Sequence, residues 1–228
     1  MHPQFECPWD VTPQEAERTQ LALAARVTLQ DALPATVRTV AGLDVAYSQD
    51  SPETFAAVVV LDAQSLRQLE LRAVRTAVAF PYIPGLFSFR EIPAIAAALA
   101  QLNSTPDLFL CDGHGIAHPR RLGLASHLGL LYDVPSIGCA KTRFFGHADP
   151  PGPHRGDAAP ILDAGEVIGA ALRTQHGVKP LYVSTGHRVS LQTACHWVLR
   201  LSPKYRSPEP LRAANTAVQT MKARAAPR

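Results

Sequence analysis

Apolar positions along the chain follow two regimes: short blocks rich in β-branched and aromatic residues, and longer stretches with helical spacing. Val37 to Tyr47, Phe55 to Leu61 and Leu66 to Val78 are blocks of the first kind, separated by the turn-forming sequences QDSPE and DAQS. Connections that short join antiparallel neighbours, so the three blocks predict a meander. Ahead of them, Thr12-Pro-Gln-Glu15 has the form of a capping box with proline at the first helical position. It predicts a helix to about Leu33, stopped by Pro34. The segment FPYIPGLF, Phe80 to Phe87, combines two prolines and a glycine with apolar residues and predicts an ordered loop. Ser88-Phe-Arg-Glu91 repeats the capping-box pattern and predicts an alanine-rich helix to about Leu102.

Downstream, Asp107 to Asp112 and Pro135 to Ala140 predict buried strands, with a helix from about Leu122 to Tyr132 between them. Strand, helix, strand makes a parallel pair. DPPGPHRGDAAP, residues 149–160, is too rich in proline and glycine for anything but a surface loop. Strands at Val167 to Arg173 and Pro180 to Ser184 follow, then helices at Ser190 to Leu201 and Glu209 to about Ala225. The expected architecture is a mixed α/β sheet, an antiparallel meander running into parallel strands, flanked by helices. Ligands in such sheets sit beyond the carboxyl ends of the parallel strands, where Asp112 and Lys141 fall.

Composition bounds this picture. With 228 residues, 46% of them apolar, the chain closes one core, so a single domain over residues 1–228 is expected. Its longest apolar run, Phe55 to Leu61, is seven residues, against the roughly 20 of a membrane span. MHPQFECPWD has neither the basic start nor the apolar stretch of a secretory signal, and Cys7, Cys111, Cys139 and Cys195 form no Cys-x-x-Cys pair. Reduced thiols and a cytoplasmic location are expected. The net charge of +3 hides an asymmetry: residues 1–172 carry 12 basic and 18 acidic side chains, residues 173–228 carry 10 and one. The basic helical segment from about 190 to 228, with Arg200, Lys204, Arg206 and Arg212, suits either a polyanion partner or plain solubility.

Two carboxylates break the apolar pattern. Asp44 sits mid-strand in VAGLDVAY, and Asp112 ends an apolar strand ahead of Gly113. A lone carboxylate in a sheet costs several kcal/mol unless it reaches water, is protonated, finds a cation or binds a metal. A bulge at Asp44 and an Asx-turn at Asp112 are the plain alternatives. Glu91 is explained by its place in the capping box. The three acids together are the oxygen-donor set that one or two Mg²⁺ ions prefer, and Lys141 stands at a neighbouring strand end.

VAGLDVAY, PYIPGLFSFRE, DGHGIAHPRRLGLASHLGLLYDVPSIGCAK, STGHRVSL and SPEPLR, in this order, resemble the endonuclease V family from about Val37 to Arg212. The resemblance implies a ribonuclease H-like fold and a Mg²⁺-dependent endonuclease, with Mn²⁺ as a substitute. The enzyme would cut the second phosphodiester 3′ to deoxyinosine, leaving 3′-hydroxyl and 5′-phosphate ends. It implies Asp44 and Asp112 as metal ligands, Glu91 completing the acidic site, and Lys141 at the scissile phosphate. Tyr82 would be a wedge filling the gap left by the flipped base, and Gly85, Gly113, His118 and Gly123 would form the base pocket. Glycine backbone suits that pocket, since hypoxanthine differs from adenine at O6 and N1–H, edge groups that main-chain atoms read at close range. Ordinary hydrogen bonding is the expectation for His127 and His187, and His114 receives no role. Asn215 stands where the family pattern leads one to expect His or Asp, a weaker ligand that argues against a second metal. The implied partner is deoxyinosine-containing DNA, with no membrane and no oligomer implied. The alternatives are the same chemistry on inosine in RNA, a non-catalytic binder of damaged nucleic acid, and a glycosylase, which needs no cluster of acids.

Overall fold

The structure is a computed structural model that describes residues 1–48 and 51–225. Gln49 and Asp50 of the first predicted turn, and residues 226–228, lie outside the described residues. The elements are α1 (Pro13–Ala24), β1 (Thr39–Tyr47), β2 (Glu53–Asp62), β3 (Gln68–Ala77), α2 (Phe87–Leu99), β4 (Leu108–Cys111), α3 (Leu124–Tyr132), β5 (Ser136–Ala140), β6 (Ala158–Asp163), β7 (Glu166–Leu172), β8 (Leu181–His187), α4 (Leu191–Arg200) and α5 (Glu209–Ala225). The strands form one sheet in the order β3-β2-β1-β4-β5-β8-β7-β6. The meander β1–β3 is antiparallel, β4 and β5 run parallel to β1, and β8, β7 and β6 continue antiparallel beyond β5. This is the ribonuclease H-like arrangement.

Every residue of β4 is buried because its two faces serve different layers. Phe109 and Cys111 point into the core with α2 and α3, where Leu43, Ile92, Ile95 and Leu128 meet. Leu108 and Leu110 point the other way, to Ile137, Val183, Val198 and Leu211 under α4 and α5. A central strand covered on both faces reads as an unbroken apolar run, and burying each such Leu or Phe side chain is worth about 1.5–3 kcal/mol. Gly42 of β1 lets α5 come close, since a Cβ there would lie 2.1 Å from the Pro210 carbonyl oxygen.

Four expectations are corrected. Helix α1 ends at Ala24, not near Leu33, because the following segment is drawn to the end of β8. Thr28 N–H donates to the His187 ring (3.2 Å), Arg188 N–H donates to the Thr28 carbonyl (2.6 Å), and Asp31 caps α4 through Ser190 and Thr193. The second capping box does not form. Helix α2 starts after Leu86 with no side-chain cap, and the Ser88 hydroxyl is buried without a partner among the described residues. The segment expected to be all loop, 149–160, runs at its end into β6, an exposed edge strand whose ladder to β7 its composition hides. Strand β8 continues past Ser184 to His187. Among the described residues no helix is long and apolar enough to cross a membrane.

Candidate active site

The chain leaves β1 toward the meander on one side and returns through β4 and β5 on the other. The point where strand order reverses is therefore the gap between β1 and β4, where such sheets open a crevice. Leu43 pairs with Cys111 in parallel register, so Asp44 and Asp112 are the next residues on adjacent strands, and the Asp112 N–H donates to the Leu43 carbonyl at 3.3 Å. Asp44 is buried. Its Oδ2 accepts from the Asn215 amide of α5 (2.8 Å) and its Oδ1 from the Val45 N–H (2.9 Å). Burial, and then the Asp112 charge, push its carboxyl up to about 6 against those donors.

Glu91 projects from α2 toward the same place. Freed from any capping role, its Oε1 accepts from the Tyr47 hydroxyl (2.9 Å). Burial, joined by the charges of Asp44 and Asp112, pushes it up to about 8, and the Tyr47 hydrogen bond only partly offsets this. Tyr47 is itself held by Arg90, whose guanidinium lies 4.4 Å from its ring centroid. Lys141, just past β5, places Nζ 2.5 Å from Asp112 Oδ2. Desolvation works against its charge, but the hydrogen bond and charge of Asp112, aided by Asp44, outweigh it and raise the lysine above its ordinary value.

Beside the acids a cleft of about 780 Å³ opens, lined by Tyr82, Gly85, Glu91, Asp112, Gly113, His114, His118, Gly123 and Phe144 among others. All the predicted pocket residues meet there. Gly85 has φ +84°, a conformation that favours glycine, and it turns its carbonyl inward to three donor atoms. These are Gln20 Nε2 (3.0 Å), Arg120 Nη2 (3.0 Å) and His118 Nε2 (2.9 Å), while Arg120 Nε also donates to Gln20 Oε1 (2.6 Å) to close the cluster. His118 takes the tautomer that donates to Gly85, since its Nδ1 accepts from the Arg120 N–H (3.1 Å). Tyr82 stands at the mouth, 65% exposed, its ring 5.2 Å from that of Phe87. Opposite, Phe144 packs against His114 and His118 at 6.0 and 5.7 Å. Gln20, Tyr47 and Phe144 are site residues that sequence reasoning missed. Gln20 carries no local signal, because its partner Gly85 is 65 residues away, whereas Tyr47 at i+3 from Asp44 lay inside a quoted motif.

Other candidates fall elsewhere. His187 ends β8, which is antiparallel to β5, so it lies at the opposite end of the sheet. It pairs with Thr28 and with Asp133 (3.6 Å), and burial lowers its pKa. His127 is buried between Trp9 and Phe89 and held neutral by burial, with Cys7 Sγ 3.5 Å away. Of the basic quartet, Arg206 turns inward to the carbonyls of Lys141 and Pro180 (both 2.8 Å) and is no free phosphate ligand.

Among the described residues no three of His, Cys, Asp and Glu already stand as a metal cage. The donor chemistry nevertheless fits a hard divalent cation. Burial and the neighbouring acids raise the proton affinity of Asp44 and Glu91, a sign of negative charge without enough positive charge to match, and the carboxylate oxygens of Asp44, Asp112 and Glu91 are the ligands such ions prefer.

Comparison with known proteins agrees with this geometry. The profile of the endonuclease V family matches residues 21–216. The chain is 51% identical to endonuclease V of Roseiflexus sp. (strain RS-1) over 94% of its length and 96% of the relative's. The crystal structure of endonuclease V from Streptomyces avermitilis superposes with a TM-score of 0.91 at 46% identity, covering 97% of each chain. That from Ciona intestinalis, solved with a 23mer DNA containing an inosine followed by a ribo-adenosine, superposes at 0.82 with 28% identity, covering 94% and 99%. A pair of strand carboxylates at the switch point, a glycine-lined cleft beside them and this breadth of similarity have one common account: the chain belongs to the endonuclease V family.

Proposed function

We propose that this protein is a Mg²⁺-dependent DNA repair endonuclease, cytoplasmic, that captures deoxyinosine and hydrolyses the second phosphodiester on its 3′ side. The observation that carries the reading is the placing of Asp44 beside Asp112 at the sheet's switch point, with Asp112 and Glu91 on the wall of a cleft large enough for a base. A protein that only bound nucleic acid would gain from removing such acids from beside phosphates, so catalysis is the better account. Asp44 and Asp112, with Glu91 beside them, would hold Mg²⁺ (or Mn²⁺), which when bound would supply Lewis-acid chemistry toward the phosphate and the activation of a water.

The chain's own residues do the rest. Asn215 and the Val45 N–H orient Asp44, and the Tyr47 hydroxyl orients Glu91. Lys141 brings a fixed positive charge to the side of Asp112 where phosphate charge has to be offset. The Gln20, Arg120 and His118 donors fix the Gly85 carbonyl, so the loop carrying Tyr82 is ordered before substrate arrives. The flipped base enters between Tyr82 and the backbone at Gly113 and Gly123, where O6 and N1–H are told from the amino group of adenine. The four free cysteines support the cytoplasmic assignment.

One observation favours a second substrate. The Ciona intestinalis relative is solved with a ribonucleotide directly after inosine, so a member of this family admits a 2′-hydroxyl there. The deciding experiment incubates the protein with matched DNA, RNA and chimeric strands holding one inosine, with Mg²⁺ or EDTA. Cleavage of inosine strands alone, one bond removed from the lesion and abolished by EDTA, is expected. Equal cutting of adenine strands overturns the proposal.

A further inference from the structure

Asp112 and Lys141 face two hollows. Behind them, away from the base cleft, lies a smaller hollow of about 200 Å³ whose wall is completed by Ser207, Arg212, Asn215 and Thr216. Its roof is the loop between α4 and α5, which is fastened unusually well for a loop. Thr174 Oγ1 donates to the Arg206 carbonyl (2.7 Å) and Gln175 Nε2 to the Tyr205 carbonyl (3.1 Å). The Glu209 N–H reaches Leu201 (2.8 Å), and Arg206 clips the loop to the backbone of Lys141 itself. On this support the half-exposed Tyr205 ring carries two cations, the Arg212 guanidinium at 3.4 Å from its centroid and the Lys204 ammonium at 5.4 Å. Glu209, the acid paired with Arg212 among the described residues, approaches it only to 3.8 Å. A stacked guanidinium has its planar fork already oriented, which is what a phosphate needs.

We infer that this hollow is a phosphate subsite for the substrate strand just 3′ of the cut, with Arg212 as its principal ligand and the Ser207 hydroxyl beside it, the Thr216 hydroxyl being committed to the Arg212 carbonyl (2.9 Å). The inference rests on the proposed endonuclease reading and deepens it. The strand enters through the base cleft, crosses Asp112 and Lys141, and leaves over Arg212, so the acids act on a bond displaced from the lesion. The occupant is a phosphodiester, because the hollow is too small for a base and places Arg212 and Lys141 on its wall, with Asp112 paired to Lys141 and Cys139, Leu181 and Leu211 as its apolar side, whereas the neighbouring cleft, about 780 Å³, is large enough for a base.

The test couples one side chain to one phosphate. Inosine-containing single strands are made with an uncharged methylphosphonate at each position in turn around the cut, and their affinity for wild type and Arg212→Gln is measured in EDTA. For wild type, neutralising the phosphate one step 3′ of the scissile bond is expected to weaken binding about tenfold. For Arg212→Gln the natural strand is expected to bind about tenfold more weakly, with a salt slope lower by about 0.7. That same methylphosphonate should then cost nothing further. Lys222→Gln, near the far end of α5, should keep the wild-type pattern. Arg212→Lys, which keeps the charge without the fork, should recover part of the coupling. A general loosening of the fold would weaken every strand alike and produce no position-specific coupling. Additive losses at every position would overturn the inference. If wild type shows no preference for inosine over adenine strands, the endonuclease reading fails instead, and the two failures are told apart within one data set.

Discussion

Strand β4 is flanked by two aspartates of opposite character. Asp107, at its amino end, accepts from Arg38 N–H (2.8 Å), Thr39 N–H (3.0 Å) and the Thr39 hydroxyl (3.2 Å), stitching β4 to the start of β1. Asp112, at its carboxyl end, has Lys141 and, across the gap, another acid. Strand β1 and its hairpin repeat the contrast. Asp62, at the amino end, is held below its ordinary pKa by the Ser65 and Gln64 donors, whereas Asp44 is pushed up to about 6. One end of the sheet uses carboxylates as hydrogen-bond acceptors and satisfies them. At the other, Asn215 and Val45 donate to Asp44 and Lys141 to Asp112, yet those donors do not offset the burial of Asp44 beside a second acid. An acid in deficit is the better marker of chemistry, because nothing in the fold alone repays its burial.

The contrast breaks most visibly if the two ends respond alike to mutation. Asp44→Ala and Asp112→Ala should each slow single-turnover cleavage at least about a thousandfold, the scale of several kcal/mol of lost charge stabilisation, while inosine-dependent binding persists. Asp107→Ala should leave cleavage per folded molecule unchanged and lower unfolding free energy by about 1–3 kcal/mol, read by urea titration, because two backbone N–H groups lose their acceptor. A cleavage defect in Asp107→Ala, or wild-type rates in Asp112→Ala, would erase the distinction. Base capture lies outside both sets of acids. Tyr82→Ala should therefore weaken duplex inosine binding about tenfold through lost stacking, with Tyr82→Phe close to wild type. Equal impairment of duplex and single-stranded substrates, with a lowered Tm, would instead make Tyr82 a packing residue.

The last effect concerns pH. Glu91 has a folded pKa of about 8, above its ordinary 4.5, so the folded state holds its proton more tightly than the unfolded chain. Its contribution is complete below about 4.5 and is lost as pH rises through 8. Asp62, lowered, contributes in the opposite sense, its share vanishing only as pH falls through its folded value. Metal-free protein should thus lose Tm between pH 5 and 8, by about 2–4 °C for each kcal/mol involved, and Glu91→Gln should flatten that slope. An unchanged slope would place Glu91 in a solvated setting.

The sequence disclosed the carboxylates in deficit more readily than the elements around them. Asp44 and Asp112 interrupt apolar runs, and that interruption is visible to a reader without coordinates. The box at Ser88 misled because its spacing is right while the buried Phe89 and Leu86 turn the serine inward, which no local rule encodes. Segment 25–33 has the composition of a continuing helix, and only its pairing with β8, some 160 residues on, removes it. Strand β6 escaped because an exposed edge needs few apolar residues. Gln20 and Arg120 act through Gly85, a contact made by folding and absent from any window of the chain.

Gly42 makes the chemistry vulnerable to inheritance at a distance. It touches none of the acids, yet no side chain fits between it and Pro210 in the first turn of α5. The helix that a substitution would lift carries Asn215, the amide that holds Asp44. A lineage that drifts to alanine at position 42 would keep every carboxylate and the lysine of the site, and a check of those residues alone would score it as intact. Its loss would be written as a missing hydrogen bond one and a half turns along a displaced helix, the kind of inactivation that an inventory of catalytic side chains passes over.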